Sequence, residues 1–142
     1  MRAIIIGAGR GSRLMPTTEN APKCFAEIQG KRILDWTIEA LKGGGCTEIC
    51  FVGGYRMEAV RHDYPHFVYR ANTDWPNNNI LVSLMCAEDL MDRPFVTAYS
   101  DILFTPQLVA GLVQALNEIV LSVDTNWHKH YRPRTKHPPH DA

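Results

Sequence analysis

Apolar positions along the chain alternate between short continuous runs and spaced stripes, and each change of period marks a change of element. Arg2 to Ile6 is a β-rich run closed by Gly7. Ile33 to Lys42 sets Leu34, Ile38 and Leu41 on one face of a predicted helix, which Gly43-Gly44-Gly45 terminates. Glu48 to Val52 is a second predicted strand, stopped by Gly53-Gly54, and a short helix at Met57 to Arg61 leads to a third strand, Phe67 to Arg70. Ile80 to Leu90 is predicted helical, with Leu81, Leu84 and Met85 as its apolar face. Pro94 to Tyr99 is a fourth strand, Pro106 to Leu116 a helix with proline in its first turn, and Glu118 to Val123 a fifth strand. Strands alternating with helices of about ten to fifteen residues predict βαβ units, so the fold class is α/β with a mostly parallel sheet.

The predicted strands end in Gly7, Gly53-Gly54, Asn72, Ser100-Asp101 and Asp124. Glycine, asparagine and aspartate are turn formers, which accounts for part of this pattern. In an open α/β sheet, however, ligands bind outside the carboxyl ends of the strands, so these residues also mark the edge where chemistry is expected.

Composition narrows the function classes. At 142 residues and 45% hydrophobic, the chain can bury the core of one domain. Its 15 basic and 15 acidic residues cancel, so no net field recruits nucleic acid or a membrane. The balance is uneven: His128 to Ala142 holds four basic residues and one acid, together with four of the six histidines. The lysines, arginines and prolines among those histidines predict an exposed segment rather than a metal site. No apolar run approaches the roughly 20 residues of a membrane span, and Ala3-Ile4-Ile5-Ile6 is too short for a signal sequence. Cys24, Cys46, Cys50 and Cys86 lie in apolar contexts without metal-ligand spacing and are expected to be reduced core residues, which suits a cytoplasmic protein. Self-association into a homo-oligomer is left open.

The most informative segment is Gly7-Ala8-Gly9-Arg10-Gly11-Ser12-Arg13-Leu14-Met15-Pro16, continuing to Pro22-Lys23. Three glycines at alternate positions after a strand let backbone N–H groups approach an anion. Gly7, Gly9 and Ser12 nearly satisfy a dinucleotide fingerprint. That motif, however, opens a long helix, which Pro16 and Pro22 forbid, and no acidic residue closes a second strand at the required distance. A Walker loop is excluded because no GxxxxGK[ST] occurs. What remains is a long irregular loop carrying Arg13 and Lys23 over the ligand edge, an arrangement suited to a polyphosphate; taken singly, either cation reads equally as a solvated surface residue.

Gly-x-Gly-x-Gly-Ser-Arg-Leu-x-Pro followed by Pro-Lys resembles the signature loop of the nucleotidyltransferases of GT-A-like fold, which include sugar-1-phosphate nucleotidyltransferases and phosphocholine cytidylyltransferases. Gly53-Gly54-Tyr55 resembles that family's TGY, and Tyr99-Ser100-Asp101-Ile102 its aspartate-bearing strand end. Asn78-Asn79-Ile80 with Ser83-Leu84, and Asp124 with Trp127 and Arg132 to Asp141, resemble the phosphocholine branch. Gly7 and Gly53 are mild departures from the pattern. The resemblance implies a Rossmann-like, three-layer α/β/α fold. It also implies a division into a nucleotide-binding core, 1–127, and a basic segment, 128–142, leading toward an acceptor-site portion that family members carry further along.

The implied reaction is attack by a phosphate or phosphonate oxygen on the α-phosphorus of a nucleoside triphosphate, CTP being favoured, with release of pyrophosphate. By resemblance, Arg13 holds the triphosphate and Lys23 stabilises the charge that develops. Asp101 is the candidate ligand for Mg²⁺, although an aspartate after a strand also serves as a helix cap. Gly7, Ala8, Gly9, Gly11, Ser12, Arg13 and Gly54 are expected to surround the nucleotide, with Asn79 and Ser83 at its base; Asn77-Asn78-Asn79 also reads as a turn and N-cap. Asp124, Trp127 and Tyr131 are expected on the acceptor, Asp124 being also a second metal candidate. The two aromatic faces suit a quaternary ammonium such as choline and equally suit ordinary packing. Trp36 is expected in the core. The alternatives are a sugar-1-phosphate nucleotidyltransferase and a nucleotide-binding fragment without turnover.

Overall fold

The strand β1 (Arg2–Gly7) is buried along nearly its whole length because it runs between two parallel neighbours. On one side it pairs with β4 (Glu48–Gly53), Ile4 opposite Cys50 and Gly7 opposite Gly53. On the other it pairs with β6 (Phe95–Tyr99), Ile4 opposite Thr97 and Ile6 opposite Tyr99. The strand β5 (Val68–Ala71) joins outside β4, giving the parallel order β5-β4-β1-β6. A strand covered on both faces has no solvent side to keep polar, hence the unbroken Ala3-Ile4-Ile5-Ile6. These relations come from a computed structural model that describes residues 1–11, 18–127 and 129.

Two cores sandwich the sheet. Ala3, Ile5, Ile49 and Phe51 meet α1 (Ile33–Gly43), α2 (Met57–Asp63) and α4 (Pro106–Gln114) through Leu34, Ile38, Leu41, Val60 and Val109. Ile4, Cys50 and Val52 face the other way, toward Leu84 of α3 (Ile80–Met85) and Ala87 and Leu90 around a 3-10 turn at Glu88–Leu90. The result is the three-layer α/β/α arrangement that the family resemblance implies. Cys24, Cys46 and Cys50 are buried and Cys86 is half-buried, all as free thiols. Among the described residues no helix is long and apolar enough to cross a membrane.

The structure departs from the sequence expectations in four places. Glu118 to Val123 is not a strand. Among the described residues it pairs with no strand, Leu116 and Ile119 are exposed, and β6 is the edge of the sheet, since an unpaired run has nothing to satisfy its backbone. The helix expected over Ile80 to Leu90 stops at Met85; of its expected apolar face Leu84 packs against the core, while Leu81 and Met85 are exposed and Ser83 is buried. Ser83 is bonded by buried Asn72, so a polar contact shares the inward side of that helix with Leu84. A hairpin of β2 (Glu27–Ile28) and β3 (Lys31–Arg32) escaped the pattern reading. Its two-residue turn, Gln29-Gly30 at φ 55° and 74°, is of the left-handed kind that suits strand twist, but Gln-Gly is a weak turn signal. Trp36 is half-buried rather than core, donating from Nε1 to the Ile28 carbonyl at 3.2 Å with Lys31 over its ring.

The glycines after α1 do more than end a helix. A Cβ on Gly44 would overlap the Val109 side chain and lie 2.9 Å from the Pro106 carbonyl oxygen, so the start of α4 is seated directly on the end of α1. Gly44→Ala is predicted to destabilise the fold by about 1–3 kcal/mol through overpacking, read from the urea unfolding midpoint. Gly111, inside exposed α4 with no atom within 4 Å of a built Cβ, provides the contrast. Gly111→Ala is predicted to stabilise by roughly 0.5–1 kcal/mol.

Candidate active site

The carboxyl ends of β1, β5 and β6 open onto a cleft of about 270 Å³. Its floor requires a residue without a side chain at the exit of β1. A Cβ on Gly7 would lie 2.5 Å from the Phe51 ring and 2.8 Å from Ser100 Oγ. The following turn is held by β4's extension, the Tyr55 N–H donating to the Ala8 carbonyl at 2.9 Å. Gly54 is pressed between that carbonyl and the Trp75 indole, where a Cβ would come within 2.7 Å of both. Gly54 therefore backs the cleft, while Gly7, Ala8, Gly9 and Gly11 line it.

Gly11 adopts φ +67°, a conformation in which side chains are strained, and the Lys23 side chain lies across it. Thr18, almost fully buried, donates to the Gly11 carbonyl at 3.0 Å and ties the returning chain to the glycine turn. The chain then makes a 3-10 turn at Lys23–Phe25, anchored by buried Cys24. Burial pushes the Cys24 thiol up to about 12, so it is a packing residue and not a nucleophile. Its anchoring sends Lys23 in the opposite direction, into the cleft.

There Lys23 Nζ donates to Asp101 Oδ2. The two side chains are 32% and 28% exposed, reachable by a ligand yet shielded enough for charge to matter. Asp101 is placed by the β6–β1 ladder, which runs one residue past β6: the Ser100 N–H donates to the Ile6 carbonyl at 3.0 Å, and Asp101 is the first residue released. The facing wall comes from β5 and α3. Asn79 caps α3 by accepting from the Leu81 and Val82 N–H groups, and Ser83 sits one turn on. Behind them, buried Asn72 binds both Asn78 and Ser83.

Of the residues singled out in the sequence, Gly7, Ala8, Gly9, Gly11, Lys23, Asn79, Ser83 and Asp101 line this one cleft. Ser12, Arg13 and Tyr131 lie outside the described residues. Asp124 lies elsewhere, on a separate groove of about 510 Å³ between β6 and α4, where it accepts from the Asn126 N–H at 2.8 Å. Trp127 is half-buried in the turn that follows, its N–H donating to the Asp124 carbonyl. Trp75 was missed by the sequence reading; the available signal was an aromatic residue inside the polar run Thr73 to Asn79. Among the described residues no three His, Cys, Asp or Glu side chains gather as a metal cage. Among the described residues Asp101 is the carboxylate that lines the cleft, where a divalent ion would share it with phosphate oxygens and water.

A three-layer α/β domain with a glycine turn, a lysine and an aspartate converging at one strand edge defines a nucleotidyltransferase-type fold. Residues 3–135 match the MobA-like NTP transferase domain, and the chain belongs to that family. It is 37% identical to the CTP:phosphoglutamine cytidylyltransferase of Campylobacter jejuni, over 100% of this chain and 60% of that protein. It is 32% identical to the choline-phosphate cytidylyltransferase of Streptococcus pneumoniae, over 73% of this chain and 46% of that protein. The solved structure of the CTP:phosphocholine cytidylyltransferase from Streptococcus pneumoniae superposes with a TM-score of 0.63 at 26% identity, covering 75% of this chain and 49% of that one. A nucleotidyl transferase from Methanothermobacter, at TM-score 0.64 and 20% identity over 80% of this chain and 56% of that one, shares the fold. The chain spans from about half to three-fifths of the length of these proteins.

Gly11→Ala is predicted to lower stability by about 1–2 kcal/mol and to push Lys23 from its place across the turn. Titration with pyrophosphate is the check: weaker binding than wild type is expected, and equal affinity would contradict a cradle built on that glycine.

Proposed function

We propose that the cleft binds CTP and that the protein transfers its cytidylyl group to a small phosphorylated or phosphonate acceptor such as phosphocholine, releasing pyrophosphate. The observation that carries this reading is the Lys23–Asp101 pair set beside the glycine turn in one cleft. A polyphosphate needs donors and cations, a divalent ion needs a hard anionic oxygen, and the cleft offers each within reach of the others.

In the reaction an acceptor oxygen forms a bond to the α-phosphorus as the bond to the pyrophosphate oxygen breaks. Such transfers depend on alignment and charge neutralisation. The backbone at Ala8, Gly9 and Gly11 is assigned to the phosphates, with Ser12 and Arg13 continuing the same loop. Lys23, drawn from Asp101 to phosphate, offsets charge on the reacting phosphoryl group. Asp101 would hold Mg²⁺, which would supply Lewis-acid neutralisation of the triphosphate. Asn79 and Ser83 face the base. Asp124 opens on the separate groove between β6 and α4 and is not assigned to the acceptor; the aromatic rings of Trp127 and Tyr131 would suit the acceptor's cationic end. Cytidine is favoured because three relatives are cytidylyltransferases, acting on phosphoglutamine, choline phosphate and 2-aminoethylphosphonate. A CTP-consuming reaction of this kind belongs in the cytoplasm, where nucleoside triphosphates are made. A uridylyltransferase acting on glucose-1-phosphate, from Haloferax volcanii, is 29% identical over 76% of this chain, which keeps sugar-phosphate activation as the second reading.

Pyrophosphate release measured with CTP, UTP, GTP and dTTP, with and without phosphocholine and Mg²⁺, tests this proposal. Release with CTP that requires both acceptor and metal is expected. Preference for UTP or dTTP with glucose-1-phosphate would overturn the cytidylyl assignment, and nucleotide binding without release would select a non-catalytic fragment. Lys23→Ala and Asp101→Asn are each predicted to lower turnover by roughly 100-fold or more. Wild-type rates in either variant would remove that residue from the mechanism.

A further inference from the structure

Asn72 does not line the cleft, yet its side chain uses its full hydrogen-bonding capacity in building the cleft wall. It follows β5, is 2% exposed, and extends the β5–β4 ladder by donating its N–H to the Gly53 carbonyl at 2.8 Å. The Asp74 N–H donates to its Oδ1 at 3.1 Å. A backbone N–H can only donate, so this bond fixes which end of the Asn72 amide is oxygen. The amide nitrogen must then point the other way, where it donates to Asn78 Oδ1 at 2.8 Å and to Ser83 Oγ at 2.9 Å. Asn78 returns a bond to Asn72 Oδ1 at 3.0 Å.

This orientation passes to the residues that face the ligand. Ser83 Oγ accepts from Asn72 and donates to the Asn79 carbonyl at 3.3 Å, so its proton is spent and only a lone pair remains. Asn79 Oδ1 accepts from two backbone N–H groups of α3, so the Asn79 amide has only its NH₂ to offer. The wall thus presents an acceptor at Ser83 and a donor at Asn79. The pairing edge of cytosine carries an amino donor beside two acceptors, N3 and O2, and complements that pattern. Uracil places a carbonyl where cytosine has the amino group and an N–H at N3, which sets lone pair against lone pair and donor against donor.

We infer that Asn72 is a positioning residue for base selection: its donation ties Ser83 Oγ to the cleft wall and fills one lone pair while the Asn79 carbonyl takes the proton, so the remaining lone pair faces the base and favours cytosine over uracil. The inference rests on the proposal that the cleft binds CTP. Without Asn72, Ser83 Oγ loses the tie that sets its place and orientation against the base, so selectivity falls while the phosphate contacts are untouched.

The test measures dissociation constants for CTP, UTP and tripolyphosphate, each with Mg²⁺, by calorimetry on wild type, Asn72→Ala, Ser83→Ala and the double variant. Asn72→Ala is expected to reduce the CTP-over-UTP preference about tenfold, the scale of one hydrogen bond, with tripolyphosphate affinity unchanged. In the Ser83→Ala background the Asn72 substitution is expected to have no further effect on the preference, since the two act as a unit. Asn72→Ser, whose hydroxyl can still accept from Asp74 but is too short to reach Ser83, replaces the alanine variant should that fail to fold. An unchanged preference in a wild-type-like fold, or equal loss of affinity for CTP, UTP and tripolyphosphate, overturns the positioning role alone. A wild-type protein that binds CTP no tighter than UTP overturns the cytidine reading and the inference with it.

Discussion

Everything at the cleft depends on the parallel register of β1 with its two neighbours. Because β1 is hydrogen-bonded on both sides, its alignment brings Gly7, Gly53 and Tyr99 to nearly the same level, and three loops leave the sheet together. A slip of one residue would exchange the two core faces of a strand, since side chains alternate. The amino end is tied as well. Buried Arg2 bonds Glu48 at 3.0 Å and Asp92 at 2.8 Å, joining β1 to the start of β4 and to the segment entering β6. With the sheet held at that end, the carboxyl edge inherits a fixed spacing, and Gly7, lacking a side chain, lets Phe51 and Ser100 close beneath it.

On that frame the site keeps its charges in balance. Lys23 and Asp101 satisfy each other, each about a third exposed, at a cleft edge where neither is fully desolvated. A ligand that took only one of them would strand the other, which is costly in a shielded place. A triphosphate with its divalent ion supplies an anion to the lysine and a cation to the aspartate at once. On the proposed reading, this pairing would favour metal–nucleotide over either component alone.

The sequence made the parallel sheet legible because β1 and β4 are buried apolar runs and α1 carries a clean stripe. The loop was legible because glycine, proline, arginine and lysine constrain one another at their spacing. What stayed hidden depends on tertiary partners. Val123 and its neighbours have strand-like composition but pair with no strand among the described residues, and Asp124 opens on the groove beside β6 rather than on the cleft with Asp101. The helix α3 turns Ser83 inward beside Leu84, where Asn72 bonds it; such a bond between residues 11 apart leaves no periodic trace. Trp75 likewise reads as a turn residue until Gly54 is seen packed against it.

Amide hydrogen exchange with and without CTP and Mg²⁺ locates the ligand directly on the chain. Slower exchange is predicted at Ala8, Gly9 and Gly11 and across Asn79 to Ser83, with no change along the groove between β6 and α4. Protection confined to that groove, or none at the glycine turn under saturating nucleotide, would contradict a nucleotide site at the carboxyl edge of the sheet.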